Sequence, residues 1–225
     1  MKTVTKSEWI YWLLIAAPII YILLIWNKIP QIVPSHWNAR GEIDDRSSKE
    51  ILFILPGMNI FLYLLFRAMP HIDPRGKSYN YFSDAYQRIR IGIQIFFTVI
   101  AFICIQASYT GEMKGIKFIL AAVFLLIAFL GNYLRKIRSN FFIGIRTPWT
   151  LDNAEVWKRT HEKSGKLWFY AGVIGAITII FFKEESFLWI FIPFILLISL
   201  YPLIYSYVCF FKLKKENEQQ GEYEK

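Results

Sequence analysis

Charge is what this 225-residue sequence has little of: Asp, Glu, Lys and Arg form 19% of it, against roughly 25% in an average soluble domain. The shortage is uneven. No charged side chain occurs in residues 9–26, 51–66, 91–109, 118–134, 167–182 or 186–211, while hydrophobic residues make up 55% of the whole. That excludes an ordinary soluble domain, whose single core does not need so much apolar sequence. Cysteine is as sparse: Cys104 falls in mid-block and Cys209 near the end of the last block, which suits neither a bridge nor a metal spacing. Catalytic motifs are missing too. There is no His-Glu-x-x-His, no Gly-x-Ser-x-Gly and no phosphate-binding glycine loop, and His161 followed by Glu162 is not a metalloprotease motif. The sequence is therefore read as non-enzymatic, with no catalytic residues, no metal and no cofactor.

What is present fits a bilayer. A hydrocarbon core of about 30 Å takes about 20 mostly apolar residues, and the shorter blocks reach that length by recruiting flanks such as Arg67 or Lys117, whose apolar stems can snorkel. The sequence predicts an all-α, polytopic integral membrane protein with six transmembrane helices, one membrane domain over residues 1–211 and a polar tail at 212–225. Residues 51–66 are the weakest span, because they hold Pro56, Gly57 and Asn59; a bent helix or a re-entrant segment is the alternative there. The first block is longer than a secretory signal core and has no small-residue cleavage site before Lys28, so it is expected to stay as an anchor.

Basic residues outnumber acidic ones, 26 to 17, giving a formal charge of +9. They flank the spans, so anionic lipid and topology account for them, and direct binding of nucleic acid is not expected. With six spans, the N-terminus, the second and fourth loops and the tail share one side and carry 19 of the 26 Lys and Arg, leaving 7 on the other. The positive-inside rule then places both termini in the cytoplasm and residues 27–50 outside. Trp9, Trp26, Trp168 and Trp189 fall near span ends, where indole rings settle at headgroup level.

Two loops stand out. The outer one runs Pro34, Ser35, His36, Trp37, Asn38, Ala39, Arg40, Gly41, Glu42, Ile43, Asp44, Asp45, and its turn formers from Asn38 to Gly41 should bend the chain back on itself. It reads either as a recognition surface or as a folded connector whose Trp37 rests on the membrane. His36, Glu42, Asp44 and Asp45 match no metal motif, and His71 and His161 are predicted on the opposite side. The cytoplasmic loop, residues 135–166, holds Asn140, Phe141, Phe142, Ile143, Gly144, Ile145, Arg146, Thr147, Pro148, Trp149 and Thr150. Asp152 followed by Glu155 then suggests a capping box that starts a short amphipathic helix between the fourth and fifth spans. Glu155, Lys158, Arg159, Glu162, Lys163 and Lys166 take one face of it; Val156, Trp157, Thr160, His161 and Ser164 take the other. Such a helix can lie in the headgroup plane with Trp157 inward, or offer its charged face to a soluble partner. Arg146 either braces the loop or binds a phosphate or carboxylate.

Together the two loops resemble the SdpI family of bacterial immunity proteins, which pair an outer motif of the DUF1648 type with a later signature. The outer part matches at Pro34, His36, Trp37, Asn38, Gly41 and Asp44, and the later part at Asn140, Gly144, Ile145, Arg146, Thr147, Pro148, Trp149, Thr150, Trp157, Thr160, His161 and Gly165. The resemblance implies a protein of the bacterial cell membrane that confers resistance to a secreted toxic peptide met on the outer side. It also implies, by analogy with the best-known member, a receptor that holds an ArsR-type repressor at the membrane. On this basis the matched residues of the two loops are the candidate binding residues. A small-molecule or peptide transporter is the alternative: Pro18, Pro56, Pro193 and Pro202 could break helices, and Asn59, Gln94, Gln106 and Asn132 could line a path. Against it, the blocks hold no ionisable group of the kind that coupled transporters keep.

Overall fold

The computed structural model describes residues 8–38, 42–111, 116–182 and 186–223, without the side chains of Trp37 and residues 220–223. The apolar blocks form helices because, in lipid, a helix satisfies its own backbone groups. They are α1 (Glu8–Ile25), α2 (Ile54–Ile72), α3 (Ser83–Thr110), α4 (Ile116–Leu134), the short α5 (Pro148–Asp152), α6 (Ala154–Phe181) and α7 (Phe187–Tyr223). Six segments, all but α5, are long and apolar enough to cross a membrane, so the protein is a six-helix, multi-pass membrane protein.

The weakest expected span is a regular helix. Pro56 lies in the first turn of α2, where its missing N–H has no intrahelical partner to lose, and α2 continues through Gly57 and Asn59 to Ile72. Asn59 and Gln94 are fully buried between helices. Asn59 Nδ2 donates to Thr98 Oγ1 at 2.9 Å, Gln94 Nε2 donates to the Asn59 carbonyl at 2.9 Å, and Thr98 Oγ1 donates to the Leu14 carbonyl at 2.9 Å. These polar residues tie α1, α2 and α3 together.

Between α1 and α2 the chain forms an antiparallel hairpin, β1 (Ile32–Trp37) and β2 (Ile43–Ser48), the one part of the described residues that departs from an all-helical reading. Its base is clamped. Val33, Ile29 and Leu52 pack with Ile22 of α1 and Ile105 of α3, and the buried Lys49 donates from Nζ to the Trp26 carbonyl at 3.1 Å while lying 4.2 Å over the Trp26 ring.

One expectation needs correcting. The amphipathic stretch expected as a separate short helix before the fifth span is instead the first turns of α6, a single 28-residue helix that continues into the membrane segment. The start is capped by Asn153, whose side chain accepts from the Glu155 and Val156 N–H groups, rather than by Asp152. The charged face is exposed as expected. The opposite face, Val156, Trp157, Thr160, His161 and Ser164, is buried against protein rather than left open to lipid. Glycine sets how α6 meets α4: a Cβ on Gly131 would come within 2.7 Å of the Gly165 carbonyl, and one on Gly172 within 2.6 Å of the Phe124 carbonyl. Small residues at this seam let the two backbones touch, which fixes the direction of α6 and so of the loop before it.

Candidate functional site

The chain has two polar ends. At one end is the hairpin, and at the other the loop after α4 folds over the loop between α2 and α3. This second end is built around Asn140, which is fully buried. Its Oδ1 accepts from Phe142 N at 2.9 Å and Ile143 N at 2.7 Å, and its Nδ2 donates to the carbonyls of Arg138 at 2.9 Å and Ile143 at 3.0 Å. One side chain thus satisfies a tight turn that has no ladder of its own.

The next residues are pinned by α6. Gly144 has φ +111°, and a Cβ there would lie 2.5 Å from His161 Nε2 and 3.2 Å from Trp157 Cζ2. Only glycine sits comfortably in that space and that conformation. His161 Nε2 accepts from Ile145 N at 2.9 Å, and Nδ1 faces the Trp157 carbonyl at 2.8 Å. A carbonyl only accepts, so the imidazole is neutral with its proton on Nδ1. Trp157 stacks on the imidazole at 4.1 Å and donates from Nε1 to the Ile137 carbonyl at 2.8 Å. Thr160, one turn along, is fully buried.

Thr147 then caps α5 in a reciprocal pair with Thr150: Thr150 N donates to Thr147 Oγ1 at 3.2 Å, and Thr147 N to Thr150 Oγ1 at 2.9 Å. Pro148 occupies the first turn, where proline is favoured. Thr147 Oγ1 also donates to Ser206 Oγ of α7 at 3.0 Å, and the Trp149 ring meets Tyr207 at 5.1 Å. Arg146 is exposed, with Nη1 donating to the Phe141 carbonyl.

Asp73 and Arg75, which the motif reading passed over, lock this loop to the one between α2 and α3. Asp73 Oδ2 accepts from Phe141 N at 3.0 Å and from Tyr79 Oη at 3.0 Å, while Oδ1 accepts from Arg75 N at 2.7 Å. Arg75 donates to Ser139 Oγ and, at 3.0 Å, to the Leu151 carbonyl, and its guanidinium lies 4.8 Å over the Phe141 ring. The sequence carried a weak signal in the Asp-Pro-Arg-Gly turn at 73–76, but nothing in it named the partners.

At the hairpin end the expected residues are arranged differently. Pro34 is buried in β1, opposite Arg46. His36 and Asp44 are exposed on facing strands, with Nδ1 2.7 Å from Asp44 Oδ1. Asn38 closes the turn: its N–H donates to the Glu42 carbonyl at 2.9 Å and its Oδ1 accepts from Glu42 N at 3.1 Å. Gly41 and the Trp37 side chain lie outside the described residues.

Comparison with known proteins follows the same two ends. Residues 136–206 match the SdpI/YfhL protein family, and residues 13–60 match a domain of unknown function, DUF1648. Over 191 residues the chain is 25% identical to the "Immunity protein SdpI" of Bacillus subtilis (strain 168), covering 85% of this chain and 89% of that protein. No solved structure matches the chain significantly. One match holds the hairpin and the other the locked loop, both within one six-helix membrane protein, and the chain is thus similar to SdpI-type and DUF1648-type proteins at its two polar ends.

Proposed function

We propose that this protein confers immunity to a secreted toxic peptide at a bacterial membrane. The observation that carries the reading is the likeness to an immunity protein along 85% of the chain, which takes in both polar ends. The loop charges support an orientation with the hairpin outside and both termini in the cytoplasm, since 19 of the 26 Lys and Arg fall on the side away from the hairpin. The hairpin then meets the peptide with His36, Asn38 and Asp44. Its clamped base holds these groups clear of the bilayer without tying them up in the bundle.

On the cytoplasmic side the exposed groups that would meet a partner are Arg146 and the charged face of α6, Glu155, Lys158, Arg159, Glu162, Lys163 and Lys166. A soluble repressor of the ArsR type would dock there, recruited when peptide occupies the hairpin side. Survival of a peptide-sensitive bacterium expressing this chain, challenged with secreted toxins of this class, tests the immunity reading. Protection by the parent is expected, and no protection against any of them sinks it. A reporter fused after Lys225 should report the cytoplasm, and an exterior signal would overturn the orientation.

A further inference from the structure

Going beyond that reading, we infer that the cavity between α2 and α3, at the end away from the hairpin, is a binding site for a phosphate-type anion, with Arg90 as its inner cation. The cavity measures about 1060 Å³, large enough for a lipid headgroup or a small phosphorylated molecule. Arg90 is one of its wall residues although only 6% exposed. Its guanidinium packs over the Tyr11 ring at 4.6 Å, with Tyr86 at 5.8 Å and Tyr63 at 6.0 Å, yet its Nε and Nη2 are buried without a hydrogen-bond partner.

Ring faces attract the cation but accept no conventional hydrogen bond, and a permanently charged group buried with idle donors is costly to the fold. No nearby carboxylate pairs with Arg90. Glu8 Oε2 accepts from Tyr63 Oη and lies 3.6 Å from Arg67, and its Oε1 is buried without a hydrogen-bond partner; Asp73 is consumed by Tyr79, Arg75 and Phe141; Asp84 is exposed. Arg67, Arg75 and Lys77 join Arg90 in the lining against only Asp73 and Asp84, so the cavity is cationic.

An anion entering it lets the guanidinium edge turn from the rings to a pair of oxygens, the geometry for which its fork is suited. Arg90 lies about 10 Å along α3 from Ser83, so a lipid phosphate reaches it only by entering the cavity. A free phosphate compound carries the same chemistry.

Two arms on the purified full-length chain separate these sources. In the first, the chain in nanodiscs of phosphatidylcholine alone is titrated with inorganic phosphate, with sodium chloride of matched ionic strength as control, and thermal unfolding is followed. In the second, native mass spectrometry compares retention of phosphatidylglycerol with that of phosphatidylcholine. Stabilisation in the first arm identifies a free anion, and selective retention in the second a lipid headgroup. In either arm Arg90→Gln should weaken binding roughly tenfold or more, while Arg88→Gln, exposed on the same helix, leaves it unchanged. Binding in neither arm, or equal binding by parent and Arg90→Gln, overturns the proposal. Should Arg90→Gln fail to fold, Arg67→Gln at the exposed rim decides, and parental affinity there overturns it. No toxin is involved, so the result is independent of the immunity reading.

Discussion

The two polar ends each hold residues matched to a known family, yet they use them in opposite ways. At the locked loop most of the motif is turned inward: Asn140, Thr147, Thr150, Trp157, Thr160 and His161 are all buried and, Thr160 apart, engaged with the loop, α6 or α7. At the hairpin His36 and Asp44 are exposed and pair with each other across the strands. A short recurring signature can therefore mark a fold device at one end and an accessible surface at the other. Of the locked loop, Phe141, Arg146 and Pro148 are exposed, Arg146 with one hydrogen bond to the Phe141 carbonyl, and Trp149 is half-buried against Tyr207.

That contrast can be broken by mutation, starting where the effect should be greatest. Asn140→Ala removes the partner of two backbone N–H groups and two carbonyls in a half-buried turn, and should cost about 2 kcal/mol or more. Thermal unfolding in detergent should fall sharply and membrane level with it. A variant that folds like the parent but no longer protects would show instead that Asn140 serves a partner. Next comes Gly144→Ala, where the new methyl collides with His161 and the backbone sits at φ +111°, for a loss of roughly 2 kcal/mol. Replacing His161 with Ala as well should make the second change less damaging than in isolation, and a double-mutant cycle on unfolding temperature reads that coupling.

The sequence carries the bundle more openly than it carries either end. A charge-free run of this length has one stable use in a membrane, so the six spans are legible from composition, and Pro56 proves harmless because it falls in a first turn. The hairpin is less legible: β2 reads Ile-Asp-Asp-Arg-Ser-Ser, with no alternation of apolar residues to mark a strand, and its register depends on Val33 reaching a core made by α1 and α3. The continuity of α6 was hidden by a change of composition at Gly165 and Lys166, where a half-charged face gives way to an apolar cylinder with no proline between them. The pairings of Asp73 with Phe141 and Arg75 with Leu151 join residues 68 and 76 apart in sequence, a distance at which no periodicity speaks. Arg90 reads as a flanking charge, and its burial follows only from tyrosines supplied by α1, α2 and its own helix.

The smallest effects on folding should come from the exposed groups, and these sharpen the contrast most. Arg146→Ala loses a hydrogen bond from an exposed guanidinium to the Phe141 carbonyl, and should shift stability by no more than about 1 kcal/mol. Asp44→Asn removes a surface partner of His36 and should shift it by at most about 0.5 kcal/mol. With unfolding temperature and membrane level matched to the parent, loss of protection in either variant assigns that residue to function rather than to folding. The two should still differ in kind. On the proposed function, a lesion at the hairpin in Asp44→Asn should weaken capture of the peptide and be overcome by expressing more of the variant, whereas Arg146→Ala should act after capture and not be. Survival curves at graded expression separate the two, and identical curves would mean that both ends serve a single step.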